Sequence, residues 1–244
     1  MRVRKKIDKY LINTGIALLI CAFVVGIISL LLKLPAARQW YYQYTEILSS
    51  FEMAVASIDK LYIFIVTIIL LFCLKSVIPF IPFSALCLIS GMVLPKFQAV
   101  VINIIGSLIW ISIKYLWGVA LGSGYVTKIL KKSENIKDVI ENKGINPWLL
   151  FAFRAVPYFP LNTVSQLCGS MHFNIPLYLL ISIAGLMPRI VAYAIAGGNV
   201  FDPFSFSFFL PIILLLVFSG LATLVMGIIF RKSSTVKQKN KDSD

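Results

Sequence analysis

The chain has 244 residues, 59% of them hydrophobic and 14% charged, with a mean hydropathy of +0.89; soluble domains carry about 45–50% apolar and about 25% charged residues. Such a composition argues against a soluble globular protein and for one membrane domain with short tails. Lys and Arg number 23 against 10 Asp and Glu, a net +13; most of these bases flank apolar segments instead of forming one patch, which favours anionic lipid headgroups over nucleic acid as the partner.

In chain order, MRVRKKIDKY (residues 1–10) reads as a basic cytoplasmic tail, and the uncharged run from Leu11 to Leu32 is long enough to cross a hydrocarbon core of about 30 Å. It exceeds the usual apolar core of a signal peptide, so an uncleaved signal-anchor helix is expected. Pro35 to Lys60 sets Trp40, Tyr41, Tyr42 and Tyr44 beside Glu46, Glu52 and Asp59, a composition suited to an interfacial segment on the outer side. Leu61 to Ile78 is apolar except for Lys75, after which Pro79 and Pro82 interrupt any helix. The next apolar stretch, Phe83 to Leu94, is about 18 Å long as a helix, too short to cross. A re-entrant hairpin fits this pair better than two spans.

Phe97 to Gly118 is long enough to span. Tyr125 to Asn146 is the one long polar break, with five lysines against three acids; Val126, Ile129, Leu130, Ile136, Val139 and Ile140 among the charges predict an amphipathic helix on the cytoplasmic surface. A short arm from Trp148 to Val156, a break at Pro157 and Pro160, a return arm to about Phe173 and a span from about Ile175 to Ala196 repeat the earlier plan. Phe204 to Phe230 is the last span, and residues 231–244 carry five bases against two acids. With both broken pairs re-entrant, the amino terminus, central loop and carboxyl tail all fall on the cytoplasmic side of a cell membrane, as the positive-inside rule asks.

Two segments align without gaps at an offset of 78: Pro79-x-x-Pro82-x8-Gly91 and Pro157-x-x-Pro160-x8-Gly169, with Tyr115 matching Tyr193 further on. Under this topology the first hairpin enters from outside and the second from inside, which makes the copies inverted repeats, an arrangement that commonly builds midplane sites from broken helices. The predicted fold is therefore an all-α integral membrane protein, an inverted repeat with two re-entrant proline-broken hairpins plus spanning helices. Its membrane domain covers residues 11–230.

The breaks carry the chemistry. Backbone groups freed at each proline pair cannot stay unpaired in lipid, so the tips are buried in protein or face a wet cavity. The return arms begin near Phe83 and Leu161, and their amino ends bring partial positive charge towards the bilayer centre. Lys75 precedes the first break and Arg154 the second; Ser84 and Asn162 hold equivalent positions after them, and Gln166 follows Asn162 by one turn on the same face. Two cations, two helix amino ends and these donors suit a phosphate or another anion. Bland readings stand beside this one: Lys75 snorkels to a headgroup region, Arg154 pairs with carbonyls to hold its hairpin, and Gly118-x3-Gly122 is a packing face. Lys114 and Arg189, within predicted spans, either line the cavity or snorkel.

Catalysis is poorly supplied. His172 is the only histidine, and neither Lys60 to Ser133 nor Asn142 to Phe201 contains an Asp or Glu, so no enzyme, metal site or cofactor is expected. Cys21, Cys73, Cys87 and Cys168 lie in apolar runs without CxxC spacing and read as small buried residues.

FRAVPYFPLNTVSQLCG, with Arg154, Pro157, Pro160, Asn162 and Gly169, resembles the signature of the VTT-domain or DedA superfamily, in particular its Tvp/Tmem branch, also called SNARE-associated Golgi proteins. IPFIPFSALCLISG, followed by Tyr115-x-x-Gly118, is similar to the superfamily's first-half motif, so that the resemblance covers a core of about residues 61–198. It implies two re-entrant hairpins facing each other and a role in lipid movement, either phospholipid scrambling or passage of polyprenyl phosphate carriers. Two features depart from the pattern: Pro95 stands where a second glycine often follows Gly91, and the intramembrane acidic residues of the DedA branch are missing, so proton coupling does not carry over. The expected function is a lipid transporter or scramblase-like protein in which Arg154 and Lys75 hold a phosphate. Asn162, Ser84 and Gln166 donate to it, and Pro79, Pro82, Gly91, Pro157, Pro160 and Gly169 shape the hairpins. A membrane scaffold or assembly factor that uses the hairpins only for packing is the alternative.

Overall fold

The computed structural model describes residues 2–31, 61–78, 80–132, 147–156, 160–202 and 205–241, and among them the regular elements are all α-helices. They are α1 (Arg2–Leu31), α2 (Leu61–Val77), α3 (Phe83–Val93), α4 (Lys96–Lys132), α5 (Pro147–Ala155), α6 (Leu161–Ser170), α7 (Ile175–Gly197) and α8 (Phe206–Lys241). The interfacial segment expected over 35–60, residues 133–146 of the expected amphipathic helix, and Pro79 and Pro157 lie outside the described residues.

Four helices are long and apolar enough to cross a membrane, over Tyr10–Leu31, Lys96–Gly122, Ile175–Gly197 and Phe206–Ile228. The basic start forms the first turns of α1 and the basic end the last turns of α8, because Lys, Arg and Gln are good helix formers and no Gly or Pro intervenes to stop the ladder. The other helices are short: α2 has 17 residues, α3 11, α5 9 and α6 10, and the last three are about 14–16 Å long against a core of about 30 Å.

Two compact units divide the chain. One comprises Met1–Ile20, Tyr115–Gly185 and Leu216–Asp244, the other Cys21–Lys114 and Leu186–Leu215. The first contains the broken pair α5/α6 and Arg154, the second the broken pair α2/α3 and Lys75, and within each pair the two helices pack on one another. The cuts fall inside α1, α4, α7 and α8, so each unit receives a part of all four.

Glycines mark where these pieces cross. In the Arg154 unit a Cβ on Gly169 would lie 2.0 Å from the Tyr115 carbonyl oxygen, and one on Gly118 2.0 Å from that of Gln166. In the Lys75 unit a Cβ on Gly91 would lie 2.2 Å from the Ala194 carbonyl oxygen, and one on Gly197 2.2 Å from that of Leu88. The return helix of each repeat thus packs backbone-to-backbone on the long helix of the other repeat, α6 on the second half of α4 and α3 on the second half of α7. Close crossings of this kind need small residues in a membrane, where no hydrophobic force drives helices together. Gly91 and Gly169 accordingly shape a helix crossing. The pair Gly118 and Gly122 divides in role: Gly118 packs, whereas Gly122 meets nothing and adopts φ +63° and ψ −166°, a conformation that breaks α4 and that glycine alone takes readily. Along α1 and α8, Gly15 meets Leu224 and Gly227 meets Ile12 in the same small-to-large fashion.

Candidate functional site

In the Arg154 unit, α5 ends in the sequence Phe153-Arg154-Ala155, all fully or almost fully buried, and Arg154 is 0% exposed. A guanidinium in an apolar interior needs acceptors for its fork of donors, and this one has them. Nε donates to Ser182 Oγ at 3.2 Å, Nη1 to the Leu161 carbonyl at 3.2 Å, and Nη2 to Ser165 Oγ at 2.8 Å and to the Tyr178 hydroxyl at 2.9 Å. The Ser165 hydroxyl in turn donates to the Leu161 carbonyl at 3.0 Å. Tyr178 and Ser182 lie one turn apart on α7, so the arginine ties α5 to the first turns of α6 and to one face of α7. Gly185, one turn further, would put a Cβ 2.5 Å from Arg154 Cβ; the glycine lets the arginine's stem lie flat on α7.

The reversal from α6 to α7 supports this cluster. Phe173 N–H donates to the Cys168 carbonyl and His172 N–H to that of Gly169, both at 3.0 Å, a Schellman motif with His172 in the left-handed conformation at φ +52°. Asn174 then caps α7 by accepting from Leu177 N–H at 3.1 Å. Tyr115 packs on Tyr178, ring centroids 5.0 Å apart, and donates to the Phe173 carbonyl at 2.6 Å. His172 is thus a helix-stop residue.

In the Lys75 unit the corresponding cation is 5% exposed. Its Nζ donates to the Ile81 carbonyl at 2.7 Å, across the proline break, and lies 4.7 Å from the centroid of Trp110. Phe83, the first residue of α3, stacks on Trp110 at 5.6 Å, and Phe72 meets Phe83 edge-on at 6.3 Å. Lys114, also 5% exposed, follows Trp110 by one turn of α4. One turn before the end of α3, the Ser90 hydroxyl lies 2.7 Å from Asn103 Oδ1, and both residues are fully buried.

The residues singled out from sequence therefore divide between the units: Arg154, Asn162 and Gln166 in one, Lys75 and Ser84 in the other. Asn162, Gln166 and Ser84 are half-buried in the first two turns of α6 and α3. Pro160 and Pro82 are the N-caps of those helices, and neither helix has a side-chain cap bond. Arg189 is half-buried on α7. Sequence reasoning missed Ser165, Tyr178, Ser182 and Trp110. The polar residues Tyr178 and Ser182, spaced by four in the otherwise apolar first half of α7, were the available signal for a buried partner.

A family model described as the VTT domain matches residues 79–199. The chain carries a VTT domain over these residues. No curated protein and no solved structure matches it. The VTT match takes in both return helices, α4, the Arg154 cluster and α7; Lys75 precedes its first residue. It agrees with the VTT/DedA superfamily as a whole and does not single out the Tvp/Tmem branch.

Proposed function

We propose that this VTT-domain protein moves an anionic phospholipid or a polyprenyl phosphate across the cell membrane without changing it chemically. The observation that carries this reading is the burial of a cation beside each proline-broken helix pair, Lys75 on the Ile81 carbonyl and Arg154 on the Leu161 carbonyl. A basic side chain at membrane depth costs at least about 2.5 kcal/mol and by default marks a pathway or a ligand. Return helices whose proline caps leave the first N–H groups to other partners add positive potential in the same places. Asn162, Gln166 and Ser84 supply further donors there.

In this reading α2/α3 and α5/α6 are re-entrant, since α3, α5 and α6 are each about half a bilayer long, and the even number of full spans leaves both basic termini in the cytoplasm. Reporter fusions that put either terminus outside would contradict that parity.

The test is reconstitution. Proteoliposomes with tail-labelled phosphatidylserine in both leaflets should lose nearly all fluorescence to a membrane-impermeant quencher, where protein-free vesicles lose about half; protein-containing vesicles that behave like empty ones would overturn the reading. The scaffold alternative draws support from Arg154, four of whose donors are engaged inside the protein. It expects no lipid movement and co-purifying partners.

A further inference from the structure

We propose that the outer turns of α1 and α8 form one basic two-helix column that binds an acidic protein segment, a partner separate from any lipid that the protein moves.

In the sequence the bases stand at opposite ends of the chain, Arg2, Arg4, Lys5, Lys6 and Lys9 within residues 2–9 and Arg231, Lys232, Lys237, Lys239 and Lys241 within residues 231–241. The fold joins them. Both ends belong to the unit that contains Arg154, and there α1 and α8 run antiparallel against each other. A Cβ on Gly227 would lie 2.9 Å from Ile12 Cγ1, one on Gly15 2.7 Å from Leu224 Cγ, and one on Gly220 3.0 Å from Leu19 Cγ, so the α8 number falls step for step as the α1 number rises. Neither helix breaks where its span ends, at Tyr10 and Ile228; α1 is helical from Arg2 and α8 as far as Lys241, and Pro211 lies near the other end of α8. The same register carried outward sets Arg231 level with Asp8 and Lys237 level with Arg2. Ten bases thus share one short column with a single acid, Asp8.

Reach decides the partner. At about 1.5 Å per residue, Lys5, Lys6, Lys9, Arg231 and Lys232 lie within about 8 Å of the span ends, level with headgroups, whereas Arg2, Arg4, Lys237, Lys239 and Lys241 stand about 9–20 Å beyond them. The surface potential of an anionic leaflet decays over about 8 Å at physiological salt, so the outer five bases are left for something in the water. Residues 2–9 and 231–241 contain no aromatic side chain on which a base could stack, and a nucleic acid following the column would press its phosphates against those of the leaflet. An acidic segment alongside the two helices places carboxylates at the outer turns and neutral residues near the leaflet. It also offsets the repulsion between the two rows of bases, and the unfavourable placement of the α1 bases at the positive end of their own helix dipole, where no acid stands in the first turn.

The experiment is fluorescence anisotropy of a labelled polyglutamate peptide titrated with the full chain in phosphatidylcholine nanodiscs. The peptide should bind, and more weakly as salt rises. Three variants change the charge equally: Arg2→Gln with Arg4→Gln and Lys5→Gln; Lys237→Gln with Lys239→Gln and Lys241→Gln; and, beyond the Gly122 break of α4, Lys128→Gln with Lys131→Gln and Lys132→Gln. Each of the first two should weaken binding about tenfold, and the third less than about twofold. All nine positions lie outside the spans, and Gln is a good helix former, so the helices persist in every variant. No binding, equal losses in all three variants, or a loss confined to one helix would overturn the column. Duplex DNA that displaces the peptide and binds more tightly would assign the column to nucleic acid, and peptide binding that vanishes when phosphatidylserine is added to the nanodiscs would assign it to the leaflet; either result overturns the proposal.

Discussion

The two units solve one problem by different means. Each must hold a carbonyl near a proline-broken helix pair away from lipid, and each does so with a cation on the entering helix. Arg154 reaches seven residues forward to Leu161 and Lys75 six forward to Ile81. The offset of 78 that aligns the prolines sets Arg154 opposite Ser76 and Lys75 opposite Phe153, so the cations are one residue, or about 100° of helix rotation, out of register. The arginine's fork is spread over two serines, a tyrosine and a carbonyl, and knits three helices together. The lysine makes one hydrogen bond and rests on an aromatic ring. One cation closes a structure; the other has donors to spend on something else.

The sharpest way to break this contrast is to neutralise each cation in turn. Arg154→Gln strands Tyr178, Ser182 and Ser165 in the interior and should cost about 3 kcal/mol or more, seen as lost folded yield in size-exclusion chromatography. Arg154→Lys should fare little better, because an ammonium cannot reproduce the fork. Lys75→Gln loses one hydrogen bond but also removes a buried charge, opposing effects that should leave stability within about 1 kcal/mol of the parent. A stable Arg154→Gln protein would show the two cations to be equivalent after all.

Next in size are the glycine crossings, where the units should behave alike. Gly169→Ala and Gly91→Ala place a methyl about 2 Å from a backbone carbonyl that cannot turn aside, and each should cost about 1–3 kcal/mol in thermal melts. A tolerant Gly91→Ala beside a damaging Gly169→Ala would mean that the packing of the two repeats is not equivalent.

A smaller effect is expected at Tyr115 in the Arg154 unit. Tyr115→Phe loses the bond to the Phe173 carbonyl and should destabilise by about 1 kcal/mol, detectable as a lower unfolding midpoint. Smallest is His172→Gly, which relieves a left-handed residue at the end of α6 and offsets that gain with chain entropy. The net is a stabilisation of about 0.5 kcal/mol, or a rise of about 1–2 °C.

The fold was legible to the extent that it follows from local composition. Runs of uncharged apolar residues set the spans, and α3 and α6 start at Phe83 and Leu161, one residue after each second proline, because proline supplies no N–H and suits a helix start, although α7 and α8 accommodate Pro188 and Pro211 in their interiors. The repeat was visible because Pro and Gly are rare enough for their spacing to stand out. Helix edges were less legible: the basic ends continue α1 and α8, since charge alone does not stop a helix. Pro95, which departs from the family pattern, sits between α3 and α4 and accepts from Ala99 N–H in the first turn of α4, a place proline suits.

By itself the sequence determined an all-helical membrane chain, two proline-broken repeats, the scarcity of acids and the presence of cations beside the breaks, all properties of residue type and spacing. Only the tertiary structure decided what those cations touch. Partners such as Tyr178 and Ser182 for Arg154, or Trp110 for Lys75, lie 24 to 35 residues away along the chain, and no local rule pairs them. It also decided that the return helix of each repeat packs on the long helix of the other, because a glycine's role at a crossing depends on which backbone arrives there, and that is set by the packing of the whole.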